Sequence, residues 1–233
     1  SVLKYNLKGE NIMENKRVTI FTGNFGSGKT ELAINYALKL NEKYSNIVLA
    51  DLDVVNPYFR SREKSEFLEE KGVEVVYPKN LKHADLPIIS ADVYKIIQDE
   101  KNYGVFDVGG DDDGAISLAS VSKNLIDEQY EMNLVVNTLR PSTNDLAGIK
   151  NMKQRIEDTS KLTFDNIICN INLGDETTLK HIKEGYQLVK KASKELDLPI
   201  KFISIYKDLL PLSDENDFEE DIFFFFIFFF FPW

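Results

Sequence analysis

The sequence is poor in the residues that build disulfides and transition-metal sites, with one cysteine and two histidines among 233 residues. A lone Cys169 excludes an intramolecular disulfide and any zinc or iron-sulfur site built from several cysteines of one chain. His83 and His181 lie far apart, so a dedicated transition-metal site would have to draw most of its ligands from carboxylates. Basic residues are outnumbered as well: 28 Lys and Arg against 38 Asp and Glu give a net charge of −10. That balance disfavours nonspecific nucleic-acid binding, which depends on Lys and Arg neutralising phosphates, and no nucleic-acid partner is expected. Long hydrophobic runs are missing too. The nine residues Phe223 to Phe231 fall well short of the about 20 that a helix needs to span a bilayer. The N-terminal residues lack the charged, apolar and cleavage regions of a signal peptide, so the expected compartment is the cytoplasm.

What is present is enough apolar residue, 43%, to bury one sizeable core. Between residues 17 and 205, short apolar runs alternate with helical patterns. Strands are expected at Arg17 to Thr22, Asn46 to Ala50, Val73 to Tyr77, Tyr103 to Asp107, Met132 to Thr138, Asn166 to Asn170 and Ile200 to Ile205. Helices are expected after the first strand and at Tyr58 to Lys71, Ala91 to Asp99, Ile116 to Asp127, Thr143 to Glu157 and Glu176 to Leu196. This alternation implies an α/β fold of three layers: a mostly parallel sheet of about seven strands, helices on both faces, and ligands at the carboxyl ends of the strands.

The first strand runs into Gly23-Asn24-Phe25-Gly26-Ser27-Gly28-Lys29-Thr30, which fits the Walker A phosphate-loop pattern at every fixed position. In such a loop the glycines let successive amides converge on a β-phosphate, Lys29 adds a mobile positive charge, and the Thr30 hydroxyl ligates Mg²⁺. Glu31 follows in the first turn of the helix and belongs to the same nucleotide-binding stretch. A glycine-rich turn that merely joins strand to helix is the alternative, and the strand before and helix after favour the phosphate loop.

Two acidic motifs accompany the loop. Strand two ends in Asp51-Leu52-Asp53, whose carboxylates point the same way if the strand stays extended. They are candidates for Mg²⁺ water ligands or for orienting an attacking water, with a capping aspartate beside a solvated neighbour as the plainer reading. The apolar strand Tyr103 to Phe106 ends in Asp107-Val108-Gly109-Gly110, which has the form of a Mg²⁺-linked aspartate followed by a γ-phosphate-sensing turn. Three further carboxylates, Asp111 to Asp113, would repel a polyphosphate and are expected to face solvent, a cation or a basic partner. Arg60, Arg62 and Arg140 are candidates for transition-state charge, each with ordinary ion pairing as the alternative.

Together the loop, Asp51-Leu52-Asp53, the segment Asn56-Pro57-Tyr58-Phe59-Arg60-Ser61-Arg62-Glu63 and Asp107-Val108-Gly109-Gly110 resemble the CobQ/CobB/MinD/ParA nucleotide-binding family, in particular its small ATP-binding proteins of unassigned role. The resemblance covers about residues 16 to 210. It implies a P-loop NTPase that binds ATP and Mg²⁺, with Lys29, Asp53 and Asp51 as catalytic candidates and Thr30, Asp53 and Asp107 as metal ligands. It also implies an asparagine after a late strand that reads adenine, Asn170 being the candidate and Asn172 the rival. Partitioning, arsenic-pump and nitrogenase-reductase relatives carry a lysine just after the first loop glycine that reaches across a dimer. This chain has Asn24 there, so activation through that lysine is not implied, while a homodimer stays open.

The expected function is a slow Mg²⁺-ATPase acting as a nucleotide switch for an unidentified protein partner, with a small-molecule kinase or ATP-dependent ligase as the alternative. A GTP-type Asn/Thr-Lys-x-Asp segment is not evident. The expected organisation is a polar arm at 1 to 15, a nucleotide-binding domain at 16 to 212, and an acidic then Phe-rich tail at 213 to 233. For that tail the readings are packing against the core, docking to a partner or membrane surface, and an error in a repetitive coding tract. No basic flank supports lipid contact, and membrane binding is not expected.

Overall fold

The computed structural model describes residues 16–52, 65–77, 91–127, 129–212 and 217–226. The expectations for Asp53, for the segment from Asn56 to Glu63 with Arg60 and Arg62, for His83, for the N-terminal arm and for the last seven residues lie outside them.

Eight strands form one sheet, ordered β3-β2-β4-β1-β5-β6-β7-β8, with every neighbouring pair parallel. They are β1 Val18–Gly23, β2 Ile47–Asp51, β3 Val73–Val76, β4 Tyr103–Gly109, β5 Tyr130–Val136, β6 Asn166–Cys169, β7 Ile200–Tyr206 and β8 Ile222–Phe225. Among the described residues six α-helices accompany them: α1 Lys29–Asn41, α2 Ser65–Glu70, α3 Ala91–Gln98, α4 Asp112–Asp127, α5 Leu146–Ser160 and α6 Leu179–Leu196.

The strand period of two decides which side chains reach which layer. Ile20, Val48, Ala50, Phe106, Val108, Leu134, Val136, Ile167, Cys169 and Ile203 join one buried cluster with residues of α3, α4, α5 and α6. Their alternates Phe21, Ile47, Leu49, Val105, Val135, Ile168 and Phe202 join a second cluster with α1 and Leu68 of α2. The sheet is thus the middle of three layers. Each large apolar side chain removed from water on either face contributes about 1.5–3 kcal/mol.

The ends of β4, β5, α5 and α6 lie two or three residues from those expected, and two departures are larger. Helix α4 begins at Asp112 instead of Ile116, because the Asp111 carboxylate caps it by accepting from the Gly114 N–H at 2.9 Å. Asp112 and Asp113 then fall in its first turn, where negative charge offsets the helix dipole. The eighth strand comes from the Phe-rich tail. Phe223 and Phe225 are buried, Phe223 packing on Phe202 and Tyr36, so this part of the tail is core-packed. Among the described residues no helix is long and apolar enough to cross a membrane.

Candidate functional site at the carboxyl end of the central strand

Strand β1 lies between β4 and β5, so the loop that follows it emerges where three strands end together. Gly26 and Gly28 have φ of +74° and +84°, a left-handed conformation that a Cβ disfavours. A Cβ on Gly28 would also strike the Asn170 amide. Residues 24 to 27 close a turn, the Ser27 N–H donating to the Asn24 carbonyl at 3.0 Å.

The Gly26 and Ser27 carbonyls are held from outside the loop. The Gly26 oxygen accepts from Arg140 Nε at 2.9 Å and from Asn137 Nδ2 at 3.3 Å, and the Ser27 oxygen accepts from Asn170 Nδ2 at 2.6 Å. With these carbonyls engaged, helix α1 starts at Lys29 behind Gly28, which contributes no side-chain cap. The first N–H groups of α1 therefore have no partner within the helix, and the positive end of its dipole faces the loop. Ser27 Oγ is buried and has no hydrogen-bond partner. Lys29 and Glu31 are buried, Thr30 is half-buried, and Phe25 is exposed at the loop tip.

The acidic motifs converge on the same end of the sheet. Asp51 is the register partner of Asp107 across the parallel pair β2 and β4, and both are buried. The Leu52 N–H donates to the Asp107 carbonyl at 2.8 Å, extending the pairing one residue beyond β2. Gly109 lies opposite Gly23, and a Cβ on Gly110 would overlap the Gly23 carbonyl, so the backbone of the Asp107 turn lies directly on the first loop residue. Arg155 Nη2 donates to the Gly110 oxygen at 2.7 Å and its Nε stands 3.8 Å from Asp112.

Asn170 bonds both ways here: besides donating to Ser27, its Oδ1 accepts from Ser204 Oγ. Asn172 Oδ1 accepts from the Gly174 N–H at 2.7 Å and Thr177 Oγ1 at 3.1 Å. Asn24 donates to Ser142 Oγ, so the residue standing where relatives of the resembled family have a lysine is tied to its own chain. Sequence reading passed over Asn137, Ser142, Ser204 and Arg155. Asn137 and Ser142 follow β5, a neighbour of β1, and the rule that ligands bind at carboxyl ends of strands would have flagged them once the strand order was known.

The residues suit a nucleotide with Mg²⁺. The partnerless Ser27 hydroxyl and the uncapped start of α1 suit phosphate oxygens. Among the described residues no three His, Cys, Asp or Glu side chains cluster as a metal site. Mg²⁺ does not require one, since it keeps several waters and binds through one or two carboxylates plus phosphate. Among the described residues, Thr30, Asp51 and Asp107 are of the types such a set requires.

No family model matches the sequence, and no curated protein matches it. Among solved structures it is similar to FlhF complexed with GMPPNP and Mg²⁺, at 18% identity and a TM-score of 0.45 over 81% of this chain and 65% of that one. It is similar to a nucleotide-binding protein from Archaeoglobus fulgidus in complex with ADP, at 15% identity and 0.46 over 85% and 86%. A third similarity is to the signal recognition particle receptor FtsY from Elizabethkingia anophelis, at 12% and 0.39 over 83% and 51%. The chain thus spans about two thirds of the FlhF structure and half of the FtsY one. Its own parallel sheet, with the Gly23 to Thr30 loop between central strand and first helix, is that of an α/β P-loop NTPase.

Proposed function

We propose that the chain is a Mg²⁺-dependent ATP-binding protein and slow ATPase, a cytoplasmic nucleotide switch for a protein partner, of the CobQ/CobB/MinD/ParA type it resembles. The observation that carries this reading is the start of α1: an uncapped helix end behind a loop whose Gly26 and Ser27 carbonyls are held away by side chains. An anion there gains the N–H groups of the first helical turn, the helix dipole and the Lys29 charge together.

Mg²⁺, when bound, would neutralise charge on the polyphosphate and fix its oxygens for in-line attack. The Thr30 hydroxyl and the Asp107 and Asp53 carboxylates are the residues proposed to hold it, with Asp53 or Asp51 proposed to orient water. Lys29 directs its ammonium to the β and γ groups. The Gly109-Gly110 turn, lying on Gly23, is proposed to move with the γ-phosphate and report it to the partner, which would complete the site and raise a slow basal rate. ATP is proposed over GTP because no Asn/Thr-Lys-x-Asp segment follows β6, with Asn170, or Asn172 in its stead, proposed to read the base. A homodimer is compatible with the reading.

Nucleotide binding and phosphate release by the wild type and by Lys29→Ala test the proposal. Lys29→Ala is expected to weaken Mg-ATP binding by about 10- to 100-fold, the worth of a charge-assisted contact, and to bring phosphate release to background. Wild-type protein that binds ATP without Lys29-dependent phosphate release is a sensor and no ATPase; protein that binds no nucleotide removes the reading. Competition between ATP and GTP tests the base preference.

A further inference from the structure

Arg140, one of the candidates for transition-state charge, lies beside the phosphate loop. Beyond β5 the chain turns tightly: the Asn137 carbonyl accepts from the Arg140 N–H at 3.1 Å and from Thr143 Oγ1 at 2.7 Å. Pro141 then opens a short 3-10 turn behind an extended Arg140. The turn is anchored through Asn137, whose Nδ2 also donates to the Asn172 carbonyl at 2.7 Å and whose Oδ1 accepts from the Leu139 N–H at 3.1 Å. Its far side runs along the phosphate loop, with Ser142 at Asn24 and Arg140 at Gly26. A Cβ on Gly26 would lie 2.9 Å from Arg140 Nε and 3.2 Å from Cζ, so the guanidinium rests against that glycine.

We propose that Arg140 is the in-chain positioning cation of the phosphate loop, holding the Gly26 peptide through Nε while its charge selects ligands with a polyphosphate tail. The proposal rests on the nucleotide-binding reading and adds a residue and a selectivity to it. The geometry supports both parts. A Gly26 carbonyl turned inward would set a negative dipole against the phosphate, and the Nε contact, backed by Asn137, holds it outward. A guanidinium keeps a planar fork and a delocalised charge that lysine cannot reproduce at the same distance. Partial burial lowers the pKa of Arg140, so its charged form is partly desolvated where it rests against Gly26.

Three variants separate charge from shape: Arg140→Lys keeps the charge and loses the fork, Arg140→Gln keeps a donor and loses the charge, and Asn137→Ala removes the second donor to Gly26 with no change of charge. Affinities for ATP, ADP and adenosine, and kcat and KM for phosphate release, are read for each, with a thermal melt as the check of folding. Arg140→Gln is expected to weaken ATP binding by about tenfold or more, ADP binding less and adenosine binding hardly at all, in keeping with a charge-assisted contact. Arg140→Lys is expected to recover most of the ATP affinity while kcat stays low, and Asn137→Ala to lower kcat with little change in the ATP to ADP preference. If folded Arg140→Gln binds and hydrolyses ATP like the wild type, or loses ATP and adenosine affinity equally, the proposal falls while the nucleotide reading stands. Wild-type protein without affinity for any nucleotide overturns both.

Discussion

Asparagine carries much of the polar wiring of this protein because one side chain offers both a donor and an acceptor. Asn137 and Asn170 each join loop carbonyls to a second strand end, and Asn133 donates to the Ile20 carbonyl inside the sheet at 3.2 Å. The charged counterpart is Glu131, which accepts from Lys201 and, at 2.8 Å, from Asn166. Both members of this ion pair are largely buried, and desolvation lowers the Lys201 pKa while Glu131 raises it. Removing the carboxylate strands a buried ammonium, so Glu131→Gln is expected to cost about 3–5 kcal/mol at pH 7. A folded-state lysine pKa below its unfolded value means that the unfolded chain binds more protons, so stability rises with pH in that window. Without Glu131 the depression deepens, and the deficit of the variant should shrink as pH rises toward the ordinary lysine value. Urea titrations between pH 7 and 10 measure this, and a deficit independent of pH would show that Lys201 is not the stranded group.

Helix α1 connects the loop to the far edge of the sheet. Asn35, on its second turn, donates to the Glu31 carbonyl at 2.8 Å and to the Phe226 carbonyl at 2.9 Å, and accepts from the Phe226 N–H at 2.8 Å. It thereby continues for one residue the pairing that β8 makes with β7. The approach to β8 is tied to α6 by Lys183 with Asp217, Lys190 with Glu219, Tyr186 with Glu220, and the edge-on packing of Phe218 against Tyr186. These exposed and half-exposed pairs set position more than stability; the apolar contacts of Phe223 with Phe202 and Tyr36 supply the energy. Phe223→Ala is accordingly expected to cost about 3 kcal/mol, near the low end for buried Phe truncation because β8 is an edge strand. Chemical denaturation checks it, and an unchanged midpoint would mean that β8 adds nothing to the folded state.

At the scale of the whole molecule, Cys169 at the end of β6 reports on global opening. It is completely buried, and burial pushes its thiol pKa upward, leaving little thiolate for reaction. A thiol reagent should therefore label it only as fast as the fold opens. Mg-ATP at about 100 times its Kd should add about 2.7 kcal/mol of stability and slow that labelling further. Labelling of the native protein at the rate of free cysteine would contradict the packing around β6. Much of this architecture was legible beforehand: strand and helix periods, the loop with its glycines, and the Asp107 turn are patterns within a few residues, set by local backbone geometry. Four things were not legible. The strand order, the pairing of Asp51 with Asp107, the seat of Arg140 on Gly26 and the entry of Ile222–Phe225 into the sheet all join residues distant in sequence. A glycine-rich phosphate loop between a strand and a helix of an α/β fold follows from neighbouring residues alone. Which side chains surround that loop follows only from the folded chain, because parallel strands pair through long crossovers whose order no local period records.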